Sequence, residues 1–90
     1  MKLIGRAAAG AAEGSDVLVE VAPHEGGIRL ELKSALGVRF ADAIRASVMD
    51  VLCRMEVTDD IVRVDDYGAL DWILRARVEA AVLRGKEAQP

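Results

Sequence analysis

Glu13-Gly14-Ser15-Asp16 sets one small nucleophilic hydroxyl between two segments with strand character. Residues 4–12 can extend, and the following Val17-Leu18-Val19-Glu20-Val21-Ala22 alternates as a half-buried strand does. Gly-Ser between two strands is a two-residue hairpin signal, in which Gly14 takes the positive φ that a type II′ turn needs at its first central position. Ser15 is then exposed and sterically accessible at the tip, framed by Glu13 and Asp16. Glycine and serine are also common turn formers for conformational reasons, so residue types alone leave open whether Ser15 does chemistry or only shapes the turn.

Other groups with chemical potential form no constellation. His24 is the chain's one histidine and falls in a Gly-rich turn, at the opposite end of the strand that follows Ser15. Cys53 falls on an apolar helical face, so neither a Cys-His nor a Ser-His pair is expected and a stand-alone hydrolase would lack its base. Asp59, Asp60, Asp65 and Asp66 lack the alternating ligand spacing and distal glutamate of a calcium loop. They read as solvated turn residues, with Asp65 or Asp66 available to cap a helix. No G-x-x-x-x-G-K-[ST] or G-x-G-x-x-G run offers a phosphate cradle. Ser34 reads as a strand-exit residue and Ser47 as a helix residue beside the core stripe.

The elements that must position Ser15 follow from periodicity. Ile28, Leu30 and Leu32 alternate with Arg29, Glu31 and Lys33, a second clear strand. Pro23-His24-Glu25-Gly26-Gly27 separates it from the first as a turn cluster, which makes a second hairpin and an antiparallel meander of three strands the expectation. From Phe40 the period becomes helical, with Phe40, Ile44, Val48, Val51, Leu52 and Met55 on one face. Residues 61–65 form a short β-branched strand. A second helix over residues 69–84 buries Leu70, Ile73, Leu74, Val78, Ala81 and Val82, and its Arg75, Arg77 and Arg84 suit the negative end of the helix dipole. The order β-β-β-α-β-α predicts an α+β two-layer sandwich, a four-stranded, mostly antiparallel sheet with both helices on one face. Residues 1–84 form one domain in this reading and 85–90 a flexible tail.

Composition narrows the function classes. Ninety residues allow one small domain, and the 52% apolar content comes mostly from Ala, Val and Leu, with Phe40, Tyr67 and Trp72 the only aromatics. A net charge of −3 with interspersed signs provides no basic stripe for nucleic acid. No run approaches the roughly 20 apolar residues of a membrane span, no secretory pattern opens the chain, and a lone cysteine fits a reducing, cytoplasmic setting.

Residues 65–80, Asp-Asp-Tyr-Gly-Ala-Leu-Asp-Trp-Ile-Leu-Arg-Ala-Arg-Val-Glu-Ala, resemble a segment of the acyl carrier (γ) subunit of citrate lyase. Ala9-Gly10, Glu13 to Val17, Ala22-Pro23 and Phe40-Ala41-Asp42-Ala43-Ile44-Arg45 are similar to further blocks of that family, in the same order. The resemblance implies a serine linked by a phosphodiester to 2'-(5''-phosphoribosyl)-3'-dephospho-CoA, whose thiol carries acetyl. It implies an α subunit that exchanges acetyl for citryl, a β subunit that cleaves the citryl thioester, and a prosthetic-group transferase that installs the arm. The carrier itself does no bond chemistry. Family members commonly read Glu-Ser-Gly-Asp or Glu-Ser-Ser-Asp, with the modified serine directly after Glu; here Gly14 stands there and the nucleophile moves to Ser15. A lysine usual after the paired aspartates is Tyr67. The helical carriers that bear phosphopantetheine on Asp-Ser-Leu are a different fold, and this chain has no Asp-Ser pair. A carrier for a citramalate-type lyase and an unmodified structural subunit are the alternative readings.

Overall fold

The computed structural model describes residues 2–35 and 37–87. Among them, strands β1 (Ala7–Gly10), β2 (Val17–Pro23), β3 (Ile28–Ser34) and β4 (Asp60–Asp66) form one sheet, with helices α1 (Ala41–Arg54) and α2 (Asp71–Glu87) on one face. A 3-10 turn, Val38–Phe40, leads into α1. The α+β two-layer architecture matches the expectation from periodicity. The strand order does not match a meander: it is β1-β2-β4-β3, antiparallel at β1/β2 and β2/β4 and parallel at β3/β4.

The physical reason lies in the connections. Strands on either side of a helix are the ordinary route to a parallel pair, and β3-α1-β4 is such a unit. Its return strand enters the slot beside β2, so the 23–27 cluster bridges the end of β4 instead of making a hairpin. Gly26 and Gly27 take φ of 92° and 102° there, Asp60 N–H donates to the Gly27 carbonyl at 3.2 Å, and Gly27 N–H donates to Asp59 at 2.9 Å.

Alternation then decides the core. Val17, Val19 and Val21 of β2 face the helices beside Val62 and Val64 of β4, and Leu30 and Leu32 of β3 complete the layer. Ile44, Val48, Val51 and Leu52 from α1 and Leu74, Val78, Ala81 and Val82 from α2 cover it. Each fully buried valine, leucine or isoleucine among these contributes about 1.5–3 kcal/mol by leaving water. Small residues on α2 let it lie close to the sheet; a Cβ on Gly85 would stand 3.2 Å from both Leu3 and Val21.

Several expectations are corrected at the element ends. The first strand is confined to Ala7–Gly10, since alanines and glycines supply little side chain to hold an extended run. Leu70 precedes α2 and is 61% exposed, and Phe40 precedes α1 and is 46% exposed, so neither belongs to a buried helical stripe. Ile73 is half-buried. Cys53 is exposed on α1, one position past buried Leu52 and off the apolar face. Residues 85–87, expected to open a flexible tail, instead continue α2 through Glu87 with Gly85 buried, and residues 88–90 lie outside the described residues.

Among the described residues, Asp60 is the buried side chain left without a hydrogen-bond partner. It is fully buried at the start of β4, and neither carboxylate oxygen meets a hydrogen-bond donor at bonding distance. Desolvation pushes its pKa up to about 7, against the weaker opposing pull of the Ala22 amide and His24. A folded-state pKa above the unfolded value means that the native protein holds a proton the unfolded chain has released between about pH 4 and pH 7. Stability from this group is therefore full below about pH 4 and declines as pH rises to 7. Asp16, Asp50, Asp59 and Asp71 are held low and act only at more acid pH. Urea unfolding should find the parent protein less stable at pH 8 than at pH 5. Asp60→Asn should flatten that difference and gain roughly 1–3 kcal/mol at pH 8, the gain being reduced by the amide's own burial; equal stability of the parent at both pH values would contradict it.

Candidate functional site

Ser15 sits in the connection between β1 and β2, and what fixes it begins at Gly10. Gly10 has φ 91°, and a Cβ there would meet the Val17 carbonyl oxygen at 1.8 Å. Only glycine lets the end of β1 pass this close to the start of β2 before residues 11–16 leave the sheet. The hairpin loop is thus longer than two residues. Within it Glu13 to Asp16 form a β-turn, closed by Asp16 N–H donating to the Glu13 carbonyl at 3.1 Å, with Gly14 and Ser15 as its central residues.

The expected conformation is inverted at those two positions. Gly14 does not take the positive φ; Ser15 does, at 66°. A left-handed conformation costs an L-residue roughly 1–2 kcal/mol, so something must hold it. Two backbone bonds extend the β2/β4 pairing beyond the strand ends: Tyr67 N–H donates to the Asp16 carbonyl at 2.9 Å, and Ser15 N–H donates to the Tyr67 carbonyl at 2.8 Å. A third tie runs through side chains. Arg77 of α2 grips Asp16 with a fork, Nε to Oδ1 and Nη2 to Oδ2, both at 3.2 Å. Asp16 Oδ1 also accepts the Val17 N–H at 2.7 Å. The Arg77 hydrogen bond, with that amide, holds the Asp16 carboxyl below its usual range.

The helix bearing Arg77 is itself fixed by a polar seam. Ser47 of α1 donates to Asp71 of α2, and Arg75 reaches both Asp71 at 2.7 Å and Asp50 at 2.6 Å. The Ser47 hydroxyl and Arg75 lower the Asp71 pKa, and Arg75 lowers that of Asp50. Asp66, buried at the end of β4, accepts from Ser34 Oγ at 3.2 Å and from Ala69 N–H at 3.1 Å, turning the chain into α2. Arg84 donates to the Ala8 carbonyl at 2.7 Å. The arginines expected to serve the helix dipole therefore act as tertiary ties.

Glu13, Gly14 and Ser15 are exposed, nothing lies within 4 Å of where a Gly14 Cβ would be, and the Ser15 hydroxyl has no partner among the described residues. His24 bonds the Gly27 carbonyl at 3.2 Å, at the far end of the seven-residue β2, roughly 20 Å away by strand rise. Among the described residues no group of three potential ligands could hold a metal. Hollows of about 310 and 330 Å³ lie on the open face of the sheet and are not lined by Ser15. No described helix is long and apolar enough to cross a membrane. Chemically, the arrangement is an exposed hydroxyl carried on a backbone that is tied to β4 and α2. Tyr67 and Arg77 were missed by motif reading, because their part is played through a backbone and across 61 residues of sequence.

Comparison with known proteins gives the chain's family. The family model described as "Malonate decarboxylase delta subunit (MdcD)" matches residues 4–85. The citrate lyase acyl carrier protein of Cronobacter sakazakii is 46% identical over all of this chain and 93% of its own length. Citrate lyase acyl carrier protein 2 of Salmonella typhimurium is 49% identical over 97% of this chain and 91% of its own. A chain in the crystal structure of a Pseudomonas malonate decarboxylase hetero-tetramer shares the fold, with a TM-score of 0.67 at 20% identity over 89% of this chain and 82% of that one. The chain belongs to the family of citrate lyase acyl carrier proteins and malonate decarboxylase delta subunits.

Proposed function

We propose that this protein is the carrier subunit of a citrate lyase, bearing 2'-(5''-phosphoribosyl)-3'-dephospho-CoA on Ser15. The observation that carries this reading is an exposed serine hydroxyl, unengaged among the described residues, at the tip of a turn that is tied from three sides. A phosphodiester-linked group fits there, since the hydroxyl is unengaged and space is open beside Gly14. When bound, the group supplies the thiol that carries the acyl chain.

The protein's own residues then do three things. Ser15 anchors, the turn 13–16 directs the arm away from the sheet, and the core keeps that direction constant while partners come and go. Tethering raises the local concentration of the thioester at two active sites, those of the α (acyl transferase) and β (lyase) subunits, without catalysis by the carrier. A dedicated transferase attaches the arm in this reading, in keeping with a Ser15 hydroxyl that has no hydrogen-bond partner among the described residues. The setting is cytoplasmic in this reading, in keeping with an exposed, unpaired Cys53. Identity to citrate lyase carriers over the whole chain favours citrate over a citramalate-type substrate. The Gly14-Ser15 order is what would favour an unmodified structural subunit instead.

Reconstitution with the α and β subunits and the modifying transferase separates the readings. Ser15→Ala should fold with an unchanged urea midpoint, accept no arm and reduce lyase activity to background; activity near the parent's would reject Ser15 as the anchor. The exchanged variant Gly14→Ser/Ser15→Gly returns glycine to the left-handed position and leaves composition unchanged, so unfolded-state entropy cancels. It should gain about 1 kcal/mol in urea unfolding, and no gain would show that the turn is unstrained.

A further inference from the structure

Three observations single out Arg77. The turn that offers Ser15 packs no side chain into the core, since Glu13, Gly14 and Ser15 are all exposed. Of the ties that hold it, two run through the Tyr67 backbone, and the long-range side-chain tie among the described residues is the fork from Arg77 to Asp16. That fork grips the residue next to Ser15 and comes from a helix 61 positions distant.

The Arg77 and Asp16 side chains are 42% and 20% exposed, so the pair adds little to global stability. Its geometry does more. A planar guanidinium that meets both carboxylate oxygens fixes orientation as well as distance. Asp16 also accepts the Val17 N–H, and its carbonyl accepts from Tyr67, so it is held on three sides. The residue before it is a serine in a left-handed conformation, which relaxes toward other backbone wells once its neighbour is free.

Resting on the reading of Ser15 as the attachment site, we propose that Arg77 is a positioning residue for arm attachment, aiming the Ser15 hydroxyl through Asp16. In the transfer, Ser15 Oγ forms the new bond to the donor's phosphorus, the hydroxyl proton passes to a base of the transferase, and the donor's phosphate leaving group departs from that phosphorus. Arg77 touches none of these atoms; it narrows the directions from which Oγ can approach. A displacement of about 1 Å at such a centre lowers the rate as much as 100-fold.

Arg77→Met keeps the stem beside Gly10 and removes the fork. Two readouts test it. Amide hydrogen exchange should show the Ser15 N–H exchanging at least about tenfold faster while core β4 amides keep their protection. Transferase assays should show kcat/KM for the carrier falling about 10- to 100-fold. Arg77→Lys should restore part of the rate, because a point charge attracts Asp16 without orienting it. Asp16→Asn should slow transfer similarly, and the double variant should be no slower than the singles, since both act through one interaction. Unchanged Ser15 exchange in Arg77→Met, or losses that multiply in the double variant, would overturn the proposal. If Arg77→Met fails to fold, Asp16→Asn gives the same exchange test. A parent protein that the transferase leaves unmodified at Ser15 would sink the attachment reading, whereas a modified parent with an equally fast Arg77→Met variant would sink this one alone.

Discussion

Strand β4 is hydrogen-bonded along both edges, antiparallel to β2 and parallel to β3, and the rest of the molecule is arranged around that insertion. Its inward residues Val62 and Val64 are buried beneath the helices. Beyond Asp66 the pairing does not stop. Tyr67 and the turn before β2 exchange two more backbone bonds, so the serine turn is in effect a continuation of the central ladder. A turn placed on an edge hairpin alone would have only β1 to steady it, and β1 is a short alanine-rich strand. Fastening it to the central strand ties the backbone that carries an exposed hydroxyl to the core.

The two ends of β4 face opposite demands. At the Ser15 end Asp66 is buried but engaged, by the Ser34 hydroxyl and the Ala69 amide, and it turns the chain toward α2. At the other end Asp60 is buried without a donor, and desolvation raises its pKa toward neutrality. The first carboxylate organises the site, while the second opposes folding whenever it is charged. Helix α2 joins these regions: its first turns are held to α1 through Asp71 and Arg75, Arg77 reaches the serine turn, and Gly85 lies against Leu3 and Val21.

Much of this was legible from residue patterns, and the misses share a cause. Alternation in residues 17–22 and 28–33 located two strands and their buried faces, and helical spacing found Val48, Leu52, Leu74 and Val78. Periodicity says which face of a strand is wet, not which strand lies beside it, so the meander was the natural expectation and the insertion of β4 was not. The β-α-β unit of β3, α1 and β4 was the available signal for a parallel pair. Leu70 and Phe40 were placed in buried stripes because apolar type was read without the helix boundary, and boundaries are where periodic signals fade. Local turn chemistry points to an exposed Ser15 in a turn, and it is exposed in one; the left-handed backbone expected at Gly14 falls on Ser15 instead, because glycine is the ordinary occupant and tertiary bonds to Tyr67 and Arg77 cannot be seen in a local window. Arg77 itself read as a dipole partner, since an arginine near a helix end has that explanation ready to hand.

In the proposed function the exposed Ser15 hydroxyl is the anchor of a covalent arm. The most direct test of that role is peptide mapping by mass spectrometry of the protein purified from its own host. A phosphoribosyl-dephospho-CoA adduct on the peptide containing Ser15, localised to that residue, is the predicted result. An unmodified Ser15 in protein that copurifies with active lyase subunits would contradict the account.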